Sequence, residues 1–165
     1  MIGVITAVII IMAQISIPMP LGVPMTMQTF AITLAAIVLG SKKGAAASLI
    51  YILLGAIGIP VFSNFTGGLQ CLVGPTGGFI ISFPIMAYII GFGAEHRHKS
   101  KGFFTCCLIA GTAVNYMFGM AMFCFLMQST PLTAFSACVL PFIPTAVIKA
   151  ILASMLGLNL KKRIA

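Results

Sequence analysis

Lys149 is the residue in this sequence with the clearest chemical potential. Nine Lys and Arg residues occur in 165 positions. Eight of them fall into three short clusters: Lys42-Lys43, Arg97/Lys99/Lys101 and Lys161-Lys162-Arg163. Lys149 alone lies inside an apolar run, PFIPTAVIKAILASMLGLNL. The one acid in the chain is Glu95, beside the middle cluster, so no other carboxylate exists to pair with Lys149. An ionisable group inside a membrane segment is costly and marks a functional site by default. The chemistry it points to is recognition: a cation with three N–H donors whose missing partner is a ligand.

The other reactive side chains argue against catalysis. With a single acid, general acid–base pairs and metal-assisted hydrolysis have no residues to run on. No Ser-His-Asp set or HExxH motif is present, and GPTGG at 74–78 lacks the Gly-Lys-Ser/Thr of a phosphate loop. The chain is therefore expected not to be an enzyme, to hydrolyse no ATP and to carry no cofactor or metal. Cys71, Cys106, Cys107, Cys124 and Cys138 show no paired spacing and read as small hydrophobes. His96 and His98 flank Arg97 in EHRHKSK, which reads as a solvated loop. Asn64-Phe65-Thr66 matches a glycosylation acceptor, a pattern common by chance.

The elements that must position Lys149 are membrane helices. The chain is 61% hydrophobic and 6% charged, against about 25% charged in soluble domains. Its length suits roughly six spans of about 20 residues, with no room for a second domain. The net charge of +8 sits in juxtamembrane clusters, which favours membrane topology and anionic headgroups over nucleic acid. Apolar runs and their breakers predict helices at about 1–14, 28–40, 44–59, 79–93, 102–128 and 144–160 in one domain over 1–165. The breakers are the prolines of ISIPMPLGVP, Lys42-Lys43, Pro60 with the Gly-rich stretch to Gly78, EHRHKSK and STPLTAF. The first run lacks a basic n-region and a small-residue cleavage site, so it is expected to be a helix of the fold and not a signal peptide.

Six alternating spans put all three basic clusters on one side, which the positive-inside rule assigns to the cytoplasm together with both termini. Depth then follows from the helical rise. Lys149 is twelve residues before Lys161, about 18 Å above the cytoplasmic end. Asn115 lies about 20 Å above Gly102, and Gln28 about 21 Å above Lys42. Three polar side chains from three helices thus share a level in the outer half of a core about 30 Å thick, where a pocket open to the outside would collect them. Each has a plainer alternative: Asn115 as an interhelical hydrogen bond, Gln28 as a helix-start anchor, Lys149 as a snorkelling cation. Thr145 lies one turn before Lys149 and shares its prospects. Gly3 and Ala7 form a small-xxx-small pair on helix 1, which permits close approach of another membrane helix.

Four segments, AQISIPMPLGVPMTMQTFA (13–31), YILLGAIGIPVF (51–62), LVGPTGGFIISFP (72–84) and LPFIPTAVIKAILA (140–153), resemble the BioY family. Its members are biotin-binding substrate components (S components) of energy-coupling factor transporters. The resemblance covers nearly the whole chain. It implies a six-helix, all-α S-component fold in a bacterial cell membrane and capture of biotin on the outer face, with the loop between helices 1 and 2 as a lid. It also implies partners: a transmembrane coupling protein, for which Gly3 and Ala7 match the contact face, and two cytoplasmic ATPases. On this reading Lys149 meets the carboxylate or the ureido carbonyl, and Asn115, Gln28 and Thr145 add hydrogen bonds. Phe79, Tyr116 and the GPTGG backbone, with Gly77 and Gly78, wall the pocket. One position departs from the family pattern Pro-Gly-Asp-x-x-Lys: Ala146 stands where the Asp would be. A different carboxylated cofactor precursor therefore stays open as ligand, as does a non-transporting membrane scaffold.

Overall fold

The first three apolar runs stop where local chemistry requires it. Helix α1 (Ile2–Ala13) ends at Gln14, before the prolines of the following loop. Helix α2 (Gln28–Leu39) ends at Gly40, whose φ of +83° is open to glycine without a Cβ penalty. Helix α3 (Ser41–Ala56) then starts at once, so Lys42 and Lys43 sit in its first turn and not in a loop. The computed structural model describes residues 1–19, 23–97 and 101–164, apart from the side chains of Lys101 and Ile164. His98 and Lys99 of the middle cluster lie outside the described residues, as does the loop tip at 20–22.

The later helices are α4 (Leu69–Val73), α5 (Gly77–Glu95), α6 (Lys101–Met127), α7 (Pro131–Cys138) and α8 (Ile143–Ile164). All six expected helices are present, with boundaries shifted by a few residues. Two short ones, α4 and α7, are additions. The STPLTAF segment, expected as a turn, opens α7: the Thr130 hydroxyl accepts from Thr133 N–H at 3.3 Å and Pro131 occupies the first turn, a standard helix start. A hairpin with two-residue strands joins α1 to α2, with β1 (Ser16–Ile17) antiparallel to β2 (Met25–Thr26) and Ser16 opposite Thr26.

The helices are unequal. Segments Gly77–Glu95, Gly102–Met127 and Pro131–Arg163 are long and apolar enough to cross a membrane. Helices α1 and α2 have 12 residues each, about 18 Å, and stop short of a full crossing. The hairpin links them, and the segment between α3 and α5 meets the end of α1. Gln14 fastens that segment: its amide donates to Phe62 O at 3.1 Å, and its carbonyl accepts from Phe65 N–H at 2.9 Å.

Helix α2 is the centre of the core. Residues Phe30 through Ile37 are all buried, as expected for a helix packed on every side. Small residues make this possible, since a Cβ on Gly44 of α3 would lie 2.9 Å from Ala36 Cα.

The basic clusters gather at one end of the bundle. Ser41 donates its N–H to the Glu95 carboxylate at 2.7 Å and its hydroxyl at 3.0 Å, joining the start of α3 to the end of α5. Lys161 reaches Ala94 O at 3.5 Å, bringing the end of α8 to the same place. The chain's only acid thus caps the positive N-terminus of α3.

Candidate ligand-binding cavity

At the end opposite the basic clusters the bundle encloses a small polar-lined space. Its volume is about 60 Å³, and its wall includes Lys149, Asn115 and Gln28 together with Thr26, Phe79 and Tyr116. Helices α2, α6 and α8 therefore bring Gln28, Asn115 and Lys149 to the same wall.

Lys149 is tied to the hairpin. Its Nζ donates to the backbone carbonyl of Thr26 at 2.6 Å. The Thr26 hydroxyl in turn donates to Gln28 Oε1 at 2.8 Å, and Gln28 Nε2 donates to the Tyr51 hydroxyl at 2.6 Å. Tyr51 is fully buried and stands edge-on to Phe62, 5.5 Å between ring centres. A continuous chain of hydrogen bonds thus runs from the α3 core through Gln28 to the hairpin, where Thr26 also receives Lys149. Gln28 does more than start α2: it fixes where Thr26 presents its carbonyl.

Asn115 is asymmetric. Its Nδ2 donates to Phe79 O at 2.9 Å and to the Ser82 hydroxyl at 2.7 Å. The Phe79 carbonyl can only accept, which fixes the orientation of the amide. Its Oδ1 has no partner although the residue is only 1% exposed. A buried acceptor left unpaired costs about 1–3 kcal/mol, so this oxygen is poised to accept an N–H or O–H. Beside it, Phe79 and Tyr116 meet edge to face at 6.3 Å and form an aromatic wall. The arrangement suits a solute with a donor for Asn115, an anionic or carbonyl oxygen for Lys149 and an apolar body.

Other expected residues lie elsewhere. Thr145 is absent from the cavity wall. Its hydroxyl donates to Phe142 O at 2.9 Å, and it lines a second recess of about 240 Å³ on the other side of Lys149 and Thr26, which border both spaces. Positions four apart on a helix differ by about 40°; the long lysine reaches round that offset and the short threonine does not. Gly77 and Gly78 are packing glycines: a Cβ on Gly77 would strike the Leu72 carbonyl, and one on Gly78 the Phe118 carbonyl. Of GPTGG, Thr76 is the residue at the cavity. Ala146 faces α6 and shares a groove with Tyr116. Gly3 and Ala7 are exposed on α1, with nothing within 4 Å of a Cβ on Gly3.

Thr26 and Tyr51 are the positions that sequence reasoning missed. The signal for Tyr51 was a lone hydroxyl inside the apolar run LIYILL, which has to find a partner when buried.

The model of the BioY family matches residues 1–165. The chain belongs to the BioY family. It is 41% identical over 160 residues to the biotin transporter BioY of Thermotoga maritima, covering 97% of this chain and 93% of that one. It is 39% identical over 150 residues to a probable biotin transporter BioY of Pyrococcus horikoshii, covering 90% and 86%. The fold is similar to the crystal structure of an S component for biotin from an ECF-type ABC transporter, with a TM-score of 0.88 and 30% identity over 98% of this chain and 88% of that one. Membership of this family of transporter components agrees with a multi-pass, non-enzymatic membrane protein.

Proposed function

We propose that this chain is the substrate-binding membrane subunit for biotin uptake, taking the vitamin from the outer face and relying on a separate ATPase module for energy. The observation that carries the reading is the unpaired, buried Asn115 Oδ1 beside Lys149 in an aromatic-walled cavity. Biotin supplies what these groups lack: ureido N–H donors for Asn115, and a carboxylate or ureido carbonyl for Lys149. The names of the relatives favour biotin over another carboxylated precursor and over a scaffold role. Ala146 in place of the family's acid leaves Lys149 to the Thr26 carbonyl and to the ligand.

The present volume of about 60 Å³ is well below the roughly 300 Å³ at the small end of ligand sites. Entry of a bicyclic solute therefore requires the wall to move. The hairpin is the element to move, because Thr26 holds Lys149 through one backbone oxygen that a ligand oxygen can replace. On the cytoplasmic side, a coupling protein and two ATPases would supply the energy, with the exposed Gly3/Ala7 face of α1 as the surface for the coupling helix.

The test is equilibrium binding of labelled biotin to purified wild type and Lys149→Met. Loss of affinity in the variant is expected; equal binding overturns the assignment. A protein that no small solute stabilises against heat would be a scaffold instead.

A further inference from the structure

Helices α6 and α8 do not close against one another along their length. Between them lies a groove whose middle is walled by Leu108 and Ile109 of α6 and by Val147 and Ala150 of α8. Toward the cavity end it encloses about 450 Å³ and reaches Tyr116. Toward the basic end it encloses about 520 Å³ and finishes at Arg97. Ile109 is 62% exposed, so this apolar surface faces the surroundings of the bundle, which for a membrane subunit are lipid.

The charge at its end selects the occupant. Among the described residues Arg97 is the one charged side chain in the groove wall, and its guanidinium is held 5.8 Å from the ring centre of Phe104. The only acid, Glu95, is two residues away, but its carboxylate is engaged by the Ser41 N–H and hydroxyl. Lys161 bonds Ala94 O at the same end of the bundle and adds positive charge there. From Phe104 to Tyr116 is about 18 Å of helix, close to one leaflet of about 15 Å. Basic pockets between membrane helices on the cytoplasmic side bind anionic headgroups, and arginine's planar fork matches a phosphate in two-point fashion.

We infer that the α6–α8 groove is a binding site for an anionic inner-leaflet phospholipid, its phosphate on Arg97 and an acyl chain along Ile109 and Val147. The chain's far end rests against Tyr116, which lines both the groove and the cavity. Lipid in the groove thus supports the back of one cavity wall. This inference depends on the membrane placement of the helices and is independent of which solute the cavity takes.

Purified, delipidated full-length protein is titrated with phosphatidylglycerol or phosphatidylcholine of matched acyl chains, with retained lipid read by native mass spectrometry and stability by thermal shift. Phosphatidylglycerol is expected to be retained about fivefold better, the effect of one basic residue near an anionic headgroup. Arg97→Gln should abolish that preference, whereas Lys42→Gln, in a different basic cluster, should leave it intact. Ala150→Phe, which fills the middle of the groove, should lower retention of both lipids. Glycerol 3-phosphate, the headgroup chemistry without an acyl chain, should give no shift. Equal retention of the two lipids by wild type, a preference that survives Arg97→Gln, or a full response to glycerol 3-phosphate overturns the site. The wild-type comparison decides alone should a variant fail to fold. Retention of neither lipid also overturns it and leaves the groove to a protein helix.

Discussion

Helix α2 and the α6–α8 flank treat their side chains in opposite ways. Along α2 every residue from Phe30 to Ile37 is buried, and α3 approaches so closely that Gly44 has no room for a Cβ. Along α8, Val147, Ile148 and Ile151 are each more than half exposed, and the groove keeps α6 at a distance. Position in the bundle explains the difference. Helix α2, at 12 residues, does not cross the hydrocarbon unaided and is shielded by protein, packed between α1, α3, α5 and α8. Helices α6 and α8, at 27 and 22 residues, satisfy their backbones internally and can face lipid. The cavity forms at the seam: Gln28 and Thr26 come from the tightly packed side, Asn115, Tyr116 and Lys149 from the open one. Rigid groups thereby face groups on helices with space behind them.

Adding bulk on each side is the strongest way to break this contrast. Gly44→Leu drives a side chain into the α2 backbone and should cost about 3 kcal/mol, read as a large fall in melting temperature or loss of folded protein. Val147→Leu on the flank should change stability by no more than about 0.5 kcal/mol. Equal effects would show that the two regions are packed alike.

Removal of the seam's charge comes next. Lys149→Met gives up a charge-assisted hydrogen bond, and biotin affinity measured by calorimetry should fall by about 2–3 kcal/mol, roughly 30- to 150-fold. A smaller effect is expected from Tyr51→Phe, which strips Gln28 Nε2 of its acceptor. Stability should drop by about 1–2 kcal/mol and biotin affinity a few-fold, because Gln28 no longer fixes Thr26. Unchanged affinity with lowered stability would make Tyr51 a core residue only. The mildest change is Glu95→Gln at the basic end, where loss of the charge at the α3 N-terminus should lower stability by about 0.5 kcal/mol without altering ligand affinity.

The class, the six main helices and the gathering of basic clusters at one end could be read from composition, breakers and charge placement, since each depends on chemistry within a run of about twenty residues. Lys149, Asn115 and Gln28 were also legible, because polar groups stand out against apolar runs and helical rise converts spacing to depth. Thr145 was not: rise supplies depth, but the angular offset and the reach of the side chain decide which cavity a residue enters. GPTGG looked like a ligand loop, yet two of its glycines serve helix contacts that depend on Leu72 and Phe118.

The sequence by itself thus determined a membrane-embedded helical protein with one cation isolated inside an apolar run, because hydrophobicity and charge act locally along the chain. Only the tertiary structure decided that cation's neighbours. Thr26 lies 123 positions from Lys149 in the chain, and the unpaired oxygen of Asn115 exists because Phe79 and Ser82 occupy the other end of its amide. Hydrogen-bond partners are chosen by which helices meet, at what angle and with which faces. That choice belongs to the packing of α2, α5, α6 and α8 together.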